Sequence, residues 1–249
     1  PLEGGLEEIP ELPEHPDRRG EADRLAETQD RCESNRVEDE PDPDRDILIR
    51  LINGFLVSFE IVVLATSISF LMGICLGCIA GYFRGPVDQI ITSGMTIIQA
   101  FPGILLIIAL AAFLETSFWN ILVALSVTAW IGFARIARSQ TLSIRESDFV
   151  KAAILMGADR NRIILKHIIP NILAPLSVEL NFTIANLIVA EAGLAFLGLG
   201  LSSPFPSWGG MLRDSIDYLL VAPHYVIVVS LCIILMILSF NLIGEGLKK

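Results

Sequence analysis

From residue 54 onward the chain is organised by long apolar stretches separated by short polar or charged breaks. Five of them, approximately 54–83, 89–114, 118–137, 174–200 and 222–243, are long enough to cross a hydrocarbon core of about 30 Å, which takes roughly 20 helical residues. None alternates with period two, and backbone polar groups in lipid must be satisfied within their own segment, so each is predicted to be a helix. Residues 47–52 read as an amphipathic approach to the first span. The second stretch carries Phe101-Pro102-Gly103 near its middle, which predicts a kink or unwound turn inside one span rather than two separate elements. In the first stretch Gly73, Gly77 and Gly81 recur every fourth residue, a small-residue stripe that lets a neighbouring helix approach closely.

Composition sharpens this pattern once its distribution is considered. The chain is 53% hydrophobic and 18% charged, with a mean hydropathy of +0.61, yet its formal charge is −10. Residues 1–50 hold seventeen acidic and seven basic residues, leaving eleven of each in the other 199. The acidity therefore belongs to a tail, and the body is neutral and apolar. Residues 1–46, rich in Glu, Asp, Pro and Arg and without an apolar run longer than two, cannot bury enough surface to offset ordering entropy and are expected to be disordered. They show no basic region followed by an apolar one, so no signal peptide is read from them. With no basic face left for phosphates, nucleic-acid binding is excluded as a function class.

Lys and Arg outside the spans orient the bundle. With five spans, Arg84, the seven basic residues from Arg135 to Lys166, and Lys248 and Lys249 share one side; Arg213 alone lies opposite. The positive-inside rule predicts that the ten face the cytoplasm and that the acidic tail is outside. Cys32, Cys75, Cys78 and Cys232 are too scattered for a disulfide framework, and the Cys75-Leu-Gly-Cys78 spacing inside an apolar run reads as lipid- or helix-packed thiols. No Gly-x-x-x-x-Gly-Lys-Ser/Thr occurs, so the chain offers no loop of that type for ATP phosphates.

The charged segment 138–173 carries the most specific chemistry. Ser147 or Asp148 can cap a short helix presenting Phe149, Ala152, Ala153 and Met156 on one face, and Gly157 stands where a residue after a helix adopts positive φ. Asp159 can cap a second helix, with Ile163, Ile164, His167 and Ile168 on one side, predicted to end at Pro170. Two short amphipathic helices with small residues and charged flanks form a knob suited to a partner's groove.

Ala152-Ala153, Gly157 after three intervening residues and Pro170 after twelve more resemble the Glu-Ala-Ala loop of ABC-importer permeases, with departures at Lys151 and His167. Ala190-Glu191-Ala192, the run 196–200 (Phe-Leu-Gly-Leu-Gly), Pro206-Ser207-Trp208-Gly209, Asn241-Leu242-Ile243-Gly244 and the segment from Arg45 resemble the second permease subunit of dipeptide, oligopeptide and nickel importers. The similarity covers about 44–249. It implies an all-α, polytopic bundle of about five spans with the type I ABC-importer permease fold and short cytoplasmic coupling helices. It further implies a heterodimer with a second permease, two ATP-binding subunits that hold ATP and Mg, and an extracytoplasmic substrate-binding protein, all at the cytoplasmic (inner) membrane of a prokaryote. Ala152, Ala153, Gly157 and Pro170 would then couple the ATPases, through 145–170, to transport, and this chain would have no catalytic or metal site of its own. Family members usually carry another helix before this core; 1–43 cannot supply it, so its absence is expected.

Carboxylates inside spans are costly and therefore functional suspects. Of Glu60, Glu179 and Glu191 only Glu191 falls on a family motif; it reads either as an interhelical hydrogen-bonding group or as a pathway residue. Lys151 reads as a solvated charge or as the match to an acidic partner residue, and His167 as a packing contact rather than a metal ligand. The loop 201–220, with Pro204, Pro206, Trp208 and Gly209-Gly210, reads equally as a binding-protein contact and as an interfacial cap. Peptide cargo leads; nickel or glutathione import is the nearest alternative. An ion-coupled autonomous carrier is disfavoured by the docking knob, and an intramembrane hydrolase has no supporting motif.

Overall fold

The structure is a computed structural model that describes residues 43–114, 117–201 and 205–247. The disorder expected for the acidic segment therefore falls outside the described residues, apart from 43–46 at the start of a helix. The chain divides into 1–46 and a body, 47–249, and the account below concerns the body.

Every regular element among the described residues is helical. In chain order they are α1 (Pro43–Phe83), α2 (Gly85–Gln99), α3 (Gly103–Phe113), α4 (Phe118–Arg145), α5 (Asp148–Leu155), α6 (Arg160–Ile163), a π-helical turn (Ile164–Ile168), α7 (Ile169–Phe196), α8 (Trp208–Asp214) and α9 (Pro223–Gly246). Among the described residues four helical runs are long and apolar enough to cross a membrane: Ile47–Phe83, Phe118–Arg145, Arg160–Phe196 and Pro223–Gly246. The α2–α3 pair makes a fifth if counted as one broken span.

That break is sharper than the kink expected from sequence. α2 and α3 meet at 81°, with Phe101 and Pro102 outside either helix. Pro102 has ψ 122° and no N–H to donate, and a residue before proline is pushed out of the helical region, so the ladder stops rather than bends. Helix ends also differ from the predicted spans. α1 begins well before residue 54, absorbing the amphipathic approach into one rod whose Ile47, Leu51 and Phe55 line up at four-residue spacing against Trp208.

α1 and α4 run parallel and approach each other closely. A Cβ on Gly73 would lie 2.7 Å from the Trp130 carbonyl oxygen, one on Gly77 would overlap the Ala134 carbonyl, and one on Gly81 would lie 2.8 Å from that of Arg138. Both rows advance by four residues, so the glycine stripe receives the backbone of α4 along its length. One apolar core joins Ile61, Val62 and Ala65 of α1 to Leu122 and Leu125 of α4 and Leu187 and Ile188 of α7. A second joins Ile74 and Cys78 of α1, Phe133 of α4, Val150 of α5, and Ile168 and Ile172 of the last long run but one. Cys78 is buried there and accepts from the Thr141 hydroxyl at 3.6 Å, so it is helix-packed, while Cys75 is exposed on the outer side of α1.

At the Trp208 end, α8 fills a corner of the bundle. Its cap is Ser207, whose Oγ accepts from Gly210 N–H at 3.1 Å. Trp208 is buried and its indole N–H donates to the Leu51 carbonyl at 2.9 Å. The following segment is apolar and open: Leu220 and Val221 are 97% and 86% exposed. In α9 only 6% of the most apolar window is fully buried: Ile233, Met236 and Ile237 pack against the core, and the outward side with Leu231, Leu238 and Leu242 is left for lipid or another subunit.

The stripe can be tested directly. Gly77→Val should force α1 and α4 apart, at a cost of about 2 kcal/mol or more, and lower the melting temperature of the detergent-solubilised protein. Gly94→Val, at a glycine with open space around its Cβ position, should leave it within a degree or two. Equal melting temperatures for the two variants would show that the close approach is not what holds these helices.

Candidate functional site

The basic residues gather at the end opposite Trp208, where α1 turns into α2 and α4 into α5. Arg84, in the left-handed region at φ 55°, makes the turn together with Gly85 at φ 60°. Its guanidinium pairs with Glu146 at 2.5 Å. That pairing holds the Glu146 carboxyl below the ordinary glutamate range, so the tie is present at neutral pH and is lost only as the carboxylate protonates in acid. Arg145 donates to the Tyr82 carbonyl at 2.6 Å and lies over the Tyr82 ring. Arg138 forms a two-pronged pair with Asp88, one arm at 2.7 Å. The end of α1 is thus tied to α4, and α4 to α2.

Immediately beyond these ties lies α5. Ser147 occupies the N-cap position but its side chain does not cap; its hydroxyl donates back to the Ile144 carbonyl at 2.5 Å. The far end is closed by a Schellman motif: Gly157 N–H bonds the Ile154 carbonyl at 2.9 Å, Ala158 N–H bonds the Ala153 carbonyl at 3.0 Å, and Gly157 takes φ 80°. The positive φ expected from sequence is therefore present, for the reason expected.

Assignment of the α5 faces requires correction. Phe149, Ala152, Ala153 and Met156 do not share one face. Val150 and Ala153 are buried against the bundle, whereas Phe149, Ala152, Leu155 and Met156 point outward, Leu155 and Met156 being 88% and 82% exposed. Binary patterning misled here because both faces are apolar: one serves the chain's own core and the other is left open. Lys151 is exposed at 3.7 Å from Asp148, one turn back.

The second short helix does not end at Pro170. From Arg160 the helix continues through the π-helical turn into α7, and Pro170 sits in the first turn of α7. Ile169 N–H reaches back five residues to the Ile164 carbonyl, so the wider turn takes up the register that a proline would otherwise break. Nothing in the sequence pattern announces a π-helical turn. Ile163 and Ile168 of this segment are buried beside Val150 as expected, while Ile164 and His167 are only half-buried. The His167 ring stands 6.3 Å from that of Phe149, a packing contact between the two arms of the knob. Among the described residues no group of three or more His, Cys, Asp and Glu side chains is placed to hold a metal ion.

The three intramembrane carboxylates occupy different settings. Glu60 is exposed on α1. Glu191 is 3% exposed at the junction of α1, α7 and α8, its carboxyl beside Ser58 and its Oε2 without a hydrogen-bond partner among the described residues, while the Ser58 hydroxyl accepts from Trp208 N–H at 3.4 Å. Glu179 is half-buried on α7 directly over Gly132 of α4. These three therefore do not form one cluster.

Residues 73–249 match the family described as binding-protein-dependent transport system inner membrane component. The chain is 40% identical to the dipeptide transport system permease protein DppC of Alkalihalophilus pseudofirmus over 82% of its own length and 67% of that protein's. It is 37% identical to the oligopeptide transport system permease protein OppC of Haemophilus influenzae, over 82% and 66%, and 36% identical to the glutathione transport system permease protein GsiD of Pectobacterium atrosepticum, over 82% and 68%. The chain spans about two thirds of the length of these relatives. In fold it is similar to a chain of the methionine ABC transporter MetNI in an inward-facing conformation, with a TM-score of 0.67 at 17% identity over 81% of this chain and 95% of that one. A chain of an amino acid ABC transporter with histidines gives a TM-score of 0.57 at 16% identity, over 82% and 94%. The chain belongs to the family of inner membrane components of binding-protein-dependent transport systems, with the all-α fold of ABC-importer permeases.

Proposed function

We propose that the chain is the permease subunit of an ATP-driven importer of peptides, and that α5 with its Gly157 turn receives the force of separate ATPase subunits. One observation carries this reading: α5 is seated in the bundle core by Val150 and Ala153, yet it holds Phe149, Leu155 and Met156 out to solvent. An apolar face kept open on a helix fixed from behind suits a groove in a partner, and its seat passes movement to α1, α4 and α7. Ala152 keeps the outer face low, Gly157 sets the angle to the next arm, and Pro170 belongs to the run that becomes α7. ATP and Mg are bound by the partner ATPases, and the chemistry of hydrolysis belongs to them.

The basic end, with Arg84, Arg138, Arg145 and Arg160, faces the cytoplasm by the positive-inside rule, and the Trp208 end faces out toward a substrate-binding protein. A second permease supports the exposed α9 and completes the pathway. Glu191 acts as a tie between α1, α7 and α8 rather than as a cargo contact, because its carboxyl faces Ser58 in a closed junction. Peptide cargo is supported by the names of the relatives, of which the glutathione permease also concerns a peptide-like molecule.

Two measurements test the coupling surface. Leu155→Asp places a charge on the exposed apolar face, where desolvation at a contact costs several kcal/mol. Co-purification of the ATPase chains should fall at least tenfold, and full retention would remove α5 from the contact. Gly157→Val strains the left-handed turn by about 1–2 kcal/mol, and peptide-stimulated ATPase activity of the assembled complex should drop about tenfold, with Gly157→Asn much milder. Unchanged stimulation in Gly157→Val would end the coupling role. Peptide transport by the isolated chain in liposomes would overturn the subunit reading as a whole.

A further inference from the structure

An open groove of about 430 Å³ runs between α3, α4 and α7. Its walls include Thr128 and Gly132 of α4 and Glu179, Thr183 and Asn186 of α7, with Ile104 of α3 at one edge. Glu179, Thr183, Asn186 and Ala190 follow one another at spacings of four, three and four, so they form a single face of α7. Thr128, Gly132 and Arg135 do the same on α4. The groove lies at membrane depth, since both helices are membrane-spanning runs and these residues sit in the interior of each.

Such a face is expensive against lipid. Asn186 is exposed, Glu179 is half-exposed, and neither makes a hydrogen bond to another side chain among the described contacts. Polar groups at this depth face water or protein rather than hydrocarbon. Gly132 leaves room on α4 that the Glu179 carboxylate occupies, Oε1 lying where a Cβ on that residue would be. Arg135, one turn along α4, acts electrostatically on Glu179 but is hydrogen-bonded to Gln99 of α2, which leaves the carboxylate free for another cation.

We propose that this groove is the membrane-depth cargo site of the assembled importer and that the Glu179 carboxylate holds a cationic amine of the cargo, the free amino terminus in the case of a peptide. The inference rests on the importer reading above and deepens it by naming a contact. Thr183 and Asn186, above Glu179 on the same face, offer uncharged hydrogen-bonding groups to a peptide backbone without fixing side-chain identity. The apolar edge from Ile104 and Val189 tolerates side chains of varied kind.

The test uses the complete complex of both permeases, both ATPases and the binding protein, reconstituted in liposomes with ATP and radiolabelled trialanine. Glu179→Gln should lower uptake about tenfold, and Glu179→Asp should restore at least half of it. The binding protein is a separate chain whose own affinity is untouched by these changes. A photo-crosslinking residue at Val189 should capture trialanine during turnover, and one at Leu231 on α9 should not. Should Glu179→Gln fail to assemble, capture at Val189 decides alone. Wild-type uptake with Glu179→Gln at the same rate, or Val189 crosslinking to the second permease instead of to peptide, overturns the cargo site and leaves the importer reading standing. No uptake by the wild-type complex overturns the importer reading, and the amine assignment with it.

Discussion

Lipid offers no hydrophobic force between helices, because hydrocarbon is as apolar as the side chains it would replace. A bundle in that solvent depends on how closely backbones can approach, and here the approach is made by three glycines. Gly73, Gly77 and Gly81 admit the Trp130, Ala134 and Arg138 turns of α4 against α1 at distances that exclude a methyl group. Everything at the basic end is registered from that seam: it holds the end of α1 beside the last turns of α4, so that Arg145 reaches back to the Tyr82 carbonyl and Arg84 meets Glu146. The second core then has a fixed floor, and Val150 can seat α5 on it.

Much of this was legible in the sequence, and the reasons differ from element to element. Spans can be read because the length of an apolar run is dictated by bilayer thickness. The glycine stripe can be read because its period is that of a helix face. Gly157 can be read because a left-handed residue after a helix is nearly always glycine. The α5 faces could not be assigned, since a helix apolar on two sides carries no mark of which side its own fold will take. The π-helical turn and the 81° break are settled by how a proline's missing N–H is accommodated, which differs between Pro170 and Pro102 although the residue is the same. The groove at Glu179 was missed for a related reason. Its polar residues are spread thinly over two distant spans and become one face only when α4 and α7 are laid side by side. A search for polar residues at four- and three-residue spacing within spans would have found the α7 row.

Charge placement also follows from the fold and not from the totals. The body is neutral, yet its cations are spent as ties at one end, where Arg84, Arg138 and Arg145 each bridge two elements. Individually such exposed or half-exposed pairs contribute little. Their value lies in joining helix ends that the apolar cores alone would leave free to fray, directly behind the open apolar face of α5.

The two long helices that flank the groove are unequal in stiffness. α4 is clamped along three successive turns and has no interior proline. The run from Arg160 to Phe196 contains a π-helical turn and then Pro175, which withholds the N–H that the Asn171 carbonyl would otherwise receive. It is also long, 37 residues or roughly 55 Å at the helical rise. Load applied near Arg160 therefore meets a compliant beam beside a rigid post, and the beam yields first at its two weakened turns. Glu179 stands one turn beyond Pro175, so bending there swings the carboxylate relative to Gly132 while the post stays where it is. The weak points of α7 thus make the width of one seam, rather than the position of the whole bundle, the quantity most easily altered from the basic end.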